Sequence, residues 1–348
     1  MQNGTVMRRS KRDFGKNLGA ISSTCRREYP CTSSPSTTCP TLLFLHGFPT
    51  SSLDYTKIAA SFTSTHNVLT YDHLGFGLSD KPNRRHFLRD NALILDQIIG
   101  TIAKDNVDIV AHDMGDKVLT EYLKLRHEGE FSKEKKIGSI VFTNGGLIND
   151  LVNMRWGQVI ITSFFGKKFV ELCPKVVRHW FSKMQLASLW GGSWSGMISR
   201  FLGEDIEDMM TLLEHKGGDE IIHHLGKYII EKDRKGDFGR EKEPWKEAVV
   251  HAVEREGVRV WAVWGDTDAM APKKIAESFL RKLAIDLLSS QLQSEVGPDH
   301  LLVIEGCGHF GMLEEPEKYT EKIKKALAGV GDEYVESDGG LGWDLEEL

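Results

Sequence analysis

The stretch VDIVAHDMGDKVLTEYL, residues 107–123, changes period in its middle. Residues 107–110 form a short, mostly apolar and β-branched run, whereas Val118, Leu119, Tyr122 and Leu123 repeat at helical spacing. Between them His112-Asp113-Met114-Gly115 must carry the chain from a buried strand into a helix. The turn is tight enough to need small residues two places either side of Asp113, and Ala111 and Gly115 supply them. Taken alone, Asp113 reads first as a helix N-cap. Its alternative reading is a carboxylate displayed at the top of a sheet, held ionised by the dipole of the helix that follows and by the Met114 N–H.

Three other strand ends decide between these readings. LFLHGFPTSS, residues 43–52, leaves an apolar strand through His46-Gly47-Phe48-Pro49, where Gly47 permits a sharp turn and the Phe48 N–H faces the same place as that of Met114. VRVWAVWGDTDAMAP, residues 258–272, ends in Gly265, Asp268 and Pro272, and LLVIEGCGHFGMLEEP, residues 301–316, ends in His309. Each of these residues has a plain reading: Asp268 a turn former, His309 a surface histidine, His46 a packing residue. Their joint order, acidic nucleophile, then acid, then histidine, is that of a nucleophile elbow with its triad partners. Asp266 lies two residues from Asp268, but the Gly-x-x-Asp-x-x-x-Pro spacing selects Asp268.

Around these stations apolar runs alternate with helical patterns, which predicts a mainly parallel sheet flanked by helices. Strands are expected at 41–45, 68–71, 107–111, 140–143, 258–263 and 301–304. Helices are expected at 53–64, 86–103, 114–127, 273–288 and 316–327. Between 148 and 250 the alternation gives way to helical spacing, with Trp156, Trp180, Trp190, Trp194 and Trp245 in the segment. An insertion there falls at the carboxyl end of a strand and is expected to roof the ligand site as a helical lid. The core then occupies 41–147 and 251–328. Residues 1–40, rich in Ser, Thr, Arg and Lys without apolar periodicity, are expected to be unstructured, and 329–348 to form an acidic tail.

Composition narrows the function. The chain has 348 residues, 40% of them hydrophobic, and a net charge of -6, so it can bury a full core and offers no basic footprint for nucleic acid. No apolar run approaches the roughly 20 residues that span a bilayer. Five cysteines match neither a zinc set nor a disulfide framework and read as free thiols of a reducing, cytoplasmic compartment. The basic cluster MRRSKR at 7–12 also admits organelle targeting. No HExxH, P-loop or GxGxxG occurs, so neither a metal nor a cofactor is expected.

From about 41 to 327 the chain resembles the α/β-hydrolase superfamily, in its epoxide hydrolase and haloalkane dehalogenase branch, where the elbow carries Asp. HGFPTSSLDYTKI, LGFGLSDKP, HDMGD and TNGGL resemble most the mesoderm-specific transcript group within it. The resemblance implies an α/β-hydrolase fold and a cofactor-independent two-step displacement on a small apolar electrophile. Asp113 would form an ester with an sp3 carbon, and water activated by His309 and Asp268 would cleave it, with Phe48 and Met114 N–H groups holding the oxyanion. Dehalogenases of this branch hold the halide with side-chain donors, a Trp after the nucleophile among them. Met114 and Phe48 cannot serve so. Epoxide hydrolases use lid tyrosines to protonate the leaving alkoxide, and Tyr228 is the single tyrosine between 148 and 250. The resemblance also leaves open a hydrolase-fold protein without turnover that binds or regulates; the intact Asp113, Asp268 and His309 favour the hydrolase.

Overall fold

The computed structural model describes residues 6–10, 24–32, 39–102, 106–191, 198, 200–229, 244–289 and 296–332. Its strands are β1 Val6–Ser10, β2 Thr24–Tyr29, β3 Thr41–Leu45, β4 Asn67–Tyr71, β5 Asn106–His112, β6 Lys136–Thr143, β7 Arg259–Gly265 and β8 Leu301–Ile304. They form one eight-stranded sheet in the order β1-β2-β4-β3-β5-β6-β7-β8. β1 and β2 are antiparallel to their neighbours, and all the pairings from β4 to β8 are parallel.

Strand alternation divides the core between the two faces of the sheet. Leu43, Leu45, Ile109 and Ala111 face one layer, which includes Leu88–Ile102, Met114–His127, Pro244–Glu256 and Lys274–Ser289. Leu42, Phe44, Val110 and Val141 face the other, where Tyr55, Phe62, Tyr319 and Ile323 pack. Both faces are covered, so the central strands are apolar along their whole length, as a parallel sheet requires.

The connectivity locates the ligand crevice. From β3 the chain moves outward to β4, then returns to place β5 on the other side of β3. Crossovers leave the sheet in opposite directions there, and the loops after β3 and β5 open a crevice at the carboxyl ends. Register aligns those ends, with Leu45 opposite Ala111 and Ala111 opposite Phe142.

Several expectations are corrected. The first forty residues contain the strands β1 and β2, which pair with each other and with β4. Neither VMRRS nor TCRREY carries an apolar alternation from which a strand could be read. The helix expected at 53–64 is two 3-10 turns, Ser52–Tyr55 and Ala59–Phe62. Cys31 and Cys39 are joined in a disulfide, while Cys173 and Cys307 are free, so the free-thiol reading fails for the bonded pair and with it the argument for a reducing compartment. Trp245 does not roof a pocket. It is fully buried in Pro244–Glu256, a helix packed on Met114–His127, and its Nε1 donates to Glu121 at 2.9 Å. The core's helical layer thus resumes before residue 251. Trp194 and residues 333–348 lie outside the described residues. No helix among the described residues is long and apolar enough to cross a membrane.

Between β6 and β7 the regular structure of the described residues is all helical, with Trp156–Thr162, Gly166–Leu172, Lys175–Ala187, Glu204–Glu214 and Ile222–Leu225 preceding Pro244–Glu256.

Candidate active site

Asp113 sits at φ 49°, ψ -107°, a conformation that a non-glycine residue adopts at a cost of about 1–3 kcal/mol. The surrounding packing leaves no alternative. A Cβ on Gly115 would meet the Leu45 carbonyl oxygen at 2.6 Å, and one on Gly47 would meet Asp113 Cβ at 2.7 Å. Strand β5, the helix Met114–His127 and the loop after β3 therefore converge closely enough to need glycine at both contacts.

The carboxylate points into that convergence. Its Oδ2 accepts a hydrogen bond from the Phe48 N–H at 2.9 Å, and the Met114 N–H also stabilises the charged carboxylate. Burial pushes the Asp113 carboxyl above its ordinary range. The charge of His309 and the Phe48 and Met114 N–H groups oppose the shift. An N–H that already holds a carboxylate oxygen, with a second one beside the same carboxyl, is chemically able to stabilise an oxyanion there.

His309 follows β8, and its Nδ1 lies 2.7 Å from Asp268 Oδ2, both side chains being fully buried. Its Nε2 is buried without a hydrogen-bond partner. Burial alone would drive this imidazole neutral, but the charge and hydrogen bond of Asp268 and the charges of Asp113 and Glu314 raise its pKa to about 9. Asp268 is itself fixed by Met270 N at 2.8 Å and Ala271 N at 3.0 Å. Asp266, in contrast, is exposed and accepts from Gly306 N at 2.8 Å in a surface turn.

Tyr228, from the inserted segment, brings its hydroxyl to 3.4 Å from Asp113 Oδ2. Burial first, then the charge of Asp113, pushes the phenol well above its ordinary pKa, so it remains a donor. The structure thus brings together all six residues singled out from sequence: Asp113, His309, Asp268, Phe48, Met114 and Tyr228. It does not bring His46 in as a donor, since His46 is turned to its own loop, with Nδ1 2.8 Å from Gly47 O and Nε2 accepting from His73 N at 2.9 Å.

Three residues support the site, and two of them, Glu314 and Gln158, escape sequence reading. Asn144, at φ 44° after β6, donates from Nδ2 to Asp268 Oδ2 at 2.9 Å and accepts from Gly265 N at 3.1 Å. As an amide it cannot be the acid, but it steers the acid, and the Asn-Gly-Gly at the strand end was its one sequence signal. Glu314 accepts from the N–H groups of Gly191, Gly308 and Phe310 at 2.8–3.0 Å, tying the His309 loop to the inserted segment. Gln158 lines both cavities at the site. The smaller, about 370 Å³, contains Asp113, Tyr228, Lys117 and Met154. The larger, about 670 Å³, is walled by Phe48, Phe169, Phe181 and Leu189 and does not reach Asp113. Of these two cavities Asp113 lines only the smaller.

With this geometry in hand, comparison is decisive for the family: a model of the "Alpha/beta hydrolase family" matches residues 42–322. The chain belongs to the alpha/beta hydrolase family. LipZ of Mycobacterium tuberculosis is 28% identical over 302 residues, covering 83% of this chain and 88% of that protein. The human mesoderm-specific transcript homolog protein is 25% identical over 280 residues, covering 79% and 75%. Among solved structures, the Cif epoxide hydrolase from Acinetobacter nosocomialis superposes with a TM-score of 0.64 at 13% identity, covering 94% of this chain and 90% of that one. A thermophilic esterase from Thermogutta terrifontis gives 0.62 at 14%, covering 94% and 100%. Neighbours of such different chemistry, at such low identity, share the fold with this hydrolase-family chain and leave the reaction to be argued from its site.

Proposed function

We propose that the protein is a cofactor-independent hydrolase of the epoxide hydrolase type, in which Asp113 attacks an sp3 carbon of a small apolar electrophile and the inserted helices form the lid. The observation that carries this reading is the juxtaposition at Asp113: a carboxylate on the elbow with the Tyr228 hydroxyl on one side and a histidine backed by a second carboxylate behind. A serine at the elbow would suit direct attack on a carbonyl. A carboxylate suits displacement at an alkyl carbon, because the resulting ester can then be hydrolysed.

In the first step an Asp113 oxygen bonds to the epoxide carbon, the C–O bond breaks, and the Tyr228 hydroxyl protonates the departing alkoxide. Tyr228 recovers its proton from the imidazolium of His309. Alkylation also removes the Asp113 charge, one of those holding His309 protonated, and so favours the neutral imidazole that the second step needs. His309 Nε2 then takes a proton from water, hydroxide adds to the ester carbonyl, and the Phe48 and Met114 N–H groups hold the oxyanion. Collapse expels the diol's second alkoxide, which takes the proton of the Asp113 acid just formed. The carboxylate and the imidazolium are restored, and the net reaction is epoxide plus water to diol.

The test is His309→Gln with a panel of epoxides, haloalkanes and esters. Alkylation needs no base, so a peptide containing Asp113 should gain the mass of the epoxide and keep it. Steady turnover at the wild-type rate in that variant, or labelling only by the other substrate classes, would overturn the reading.

A further inference from the structure

The loop that carries His309 runs between two other stretches of backbone, one from the sheet and one from the inserted segment. A Cβ on Gly265, at the end of β7, would collide with the Gly308 carbonyl oxygen, and one on Gly308 would collide with the Gly191 nitrogen. Gly308 immediately precedes His309, so the imidazole's own backbone is pressed between β7 and the stretch Leu189-Trp190-Gly191. These contacts are backbone on both sides, with no flexible side chain to give way, and glycine alone permits so close an approach.

Hydrogen bonds fasten the loop to that stretch. The His309 N–H donates to Leu189 O at 3.0 Å. Glu314 Oε2 accepts from Gly191 N at 2.8 Å and from Gly308 N at 3.0 Å, so one carboxylate oxygen joins the two backbones, while Oε1 accepts from Phe310 N at 3.0 Å. Arg200, also in the inserted segment, donates to the Gly191 carbonyl and lies 3.9 Å from Glu314 Oε2. The Trp190 ring packs on that of Phe310, with centroids 4.7 Å apart. On the sheet side the loop is tied one residue earlier, where Cys307 O accepts from Thr267 N at 3.0 Å. The N–H groups of Gly308, His309 and Phe310 are thus held by Leu189 O and by Glu314. Asp268 anchors the imidazole at Nδ1, so the place of Nε2 then depends on where this backbone is held.

We propose that Gly191 and Arg200 are positioning residues for the base: by docking residues 189–191 on the His309 loop they set the backbone from which Nε2 reaches the ester, so that ester release depends on this contact and alkylation of Asp113 does not. The proposal rests on the reading of His309 as the base of ester release. It gives the inserted segment a part in the second step, besides the Tyr228 that it brings to the first.

The experiment is single-turnover chemical quench of the full chain with an epoxide, following alkylation of Asp113 and its release separately. In Gly191→Ala the new Cβ would meet Thr267 Oγ1 at 2.5 Å and Gly308 N at 2.6 Å; the hydroxyl can turn away, but the backbone nitrogen cannot. A misplacement of about 1 Å costs about 10²-fold, so a shift of part of that should slow release at least about tenfold, with alkylation little changed. Arg200→Met unties the stretch without adding bulk and should slow release in the same sense, which keeps the test open if Gly191→Ala does not fold. Gly166→Ala strains the same inserted segment against its own Ile161 carbonyl, away from His309, and should leave the ratio of the two rates as in the wild type. A second measurement needs no substrate: the NMR resonance of the His309 Nδ1 proton should move in Gly191→Ala and Arg200→Met and stay in Gly166→Ala. Release at the wild-type rate in Gly191→Ala and Arg200→Met overturns the proposal, as does equal slowing of both steps in all three variants, which would make the contact purely structural. If no epoxide alkylates the wild type, the reading of the reaction fails instead, and the resonance alone decides: unmoved in Gly191→Ala and Arg200→Met, it overturns the positioning role.

Discussion

Replacing Tyr228 by Phe removes one oxygen and tests the leaving-group step alone. In the resting site that hydroxyl lies 3.4 Å from Asp113 Oδ2, well beyond the roughly 2.7–2.8 Å of a good O–H···O bond, so its loss should cost about 1 kcal/mol of stability or less. The ring remains, and so does its packing 5.8 Å from the Phe48 ring. In the transition state the acceptor changes from a carboxylate already held by Phe48 N to an alkoxide that has no other donor, and there a positioned acid is worth about 10² to 10⁴ in rate. That corresponds to about 3–5 kcal/mol of the barrier. The assay is single-turnover chemical quench with an epoxide, following alkylated Asp113 by mass and diol by chromatography. Alkylation should slow by that factor, with substrate affinity little changed and release of a preformed ester nearly as in the wild type. Alkylation at the wild-type rate would refute the assignment of Tyr228, and equal slowing of both steps would mean that the substitution disturbs Asp113 itself.

Asp268→Asn should slow ester release by about 10³ to 10⁴, as removal of a histidine-orienting carboxylate does elsewhere, whereas Asp266→Asn should leave release little changed because Asp266 faces a surface turn. Equal effects in single-turnover release would misplace the acid. Glu314→Gln should move the pH profile of release to lower pH, since Glu314, after Asp268 and Asp113, is a charge that holds His309 up; a lower melting temperature with an unmoved profile would make its role purely structural. Stability should fall as pH rises through two windows. The proton held by His309 stabilises the fold fully below pH 6.5, and this is lost on passing about 9, a contribution of about 3 kcal/mol. Asp54, pushed by burial from 3.8 to about 8, destabilises progressively between those values as its proton must be given up. Denaturant midpoints of His309→Gln should decline less than those of wild type between pH 6.5 and 9, and parallel decline would refute the His309 share.

Local sequence determined the central sheet and the stations on it. Short, nearly continuous apolar runs bounded by turn residues mark β3, β5 and β8, and the strand-to-helix change at Asp113 marks the elbow, because those features depend on neighbours a few residues away. Asp113, Asp268 and His309 were legible for the same reason, each being the polar residue at the end of an apolar run. Tertiary structure alone decided what long-range pairing controls. β1 and β2 have no apolar alternation to display, and they exist because β4 offers an open edge. Asn144 and Glu314 look like ordinary loop residues until folding brings Asp268 and the Gly308 and Phe310 N–H groups to them across more than a hundred residues or around a turn. Tyr228 was one phenol among several aromatic residues of an insertion, and its meeting with Asp113 across 115 residues is a property of how that insertion closes on the sheet. Periodicity reports which side of an element is buried, whereas which elements meet is set by the packing of the whole chain.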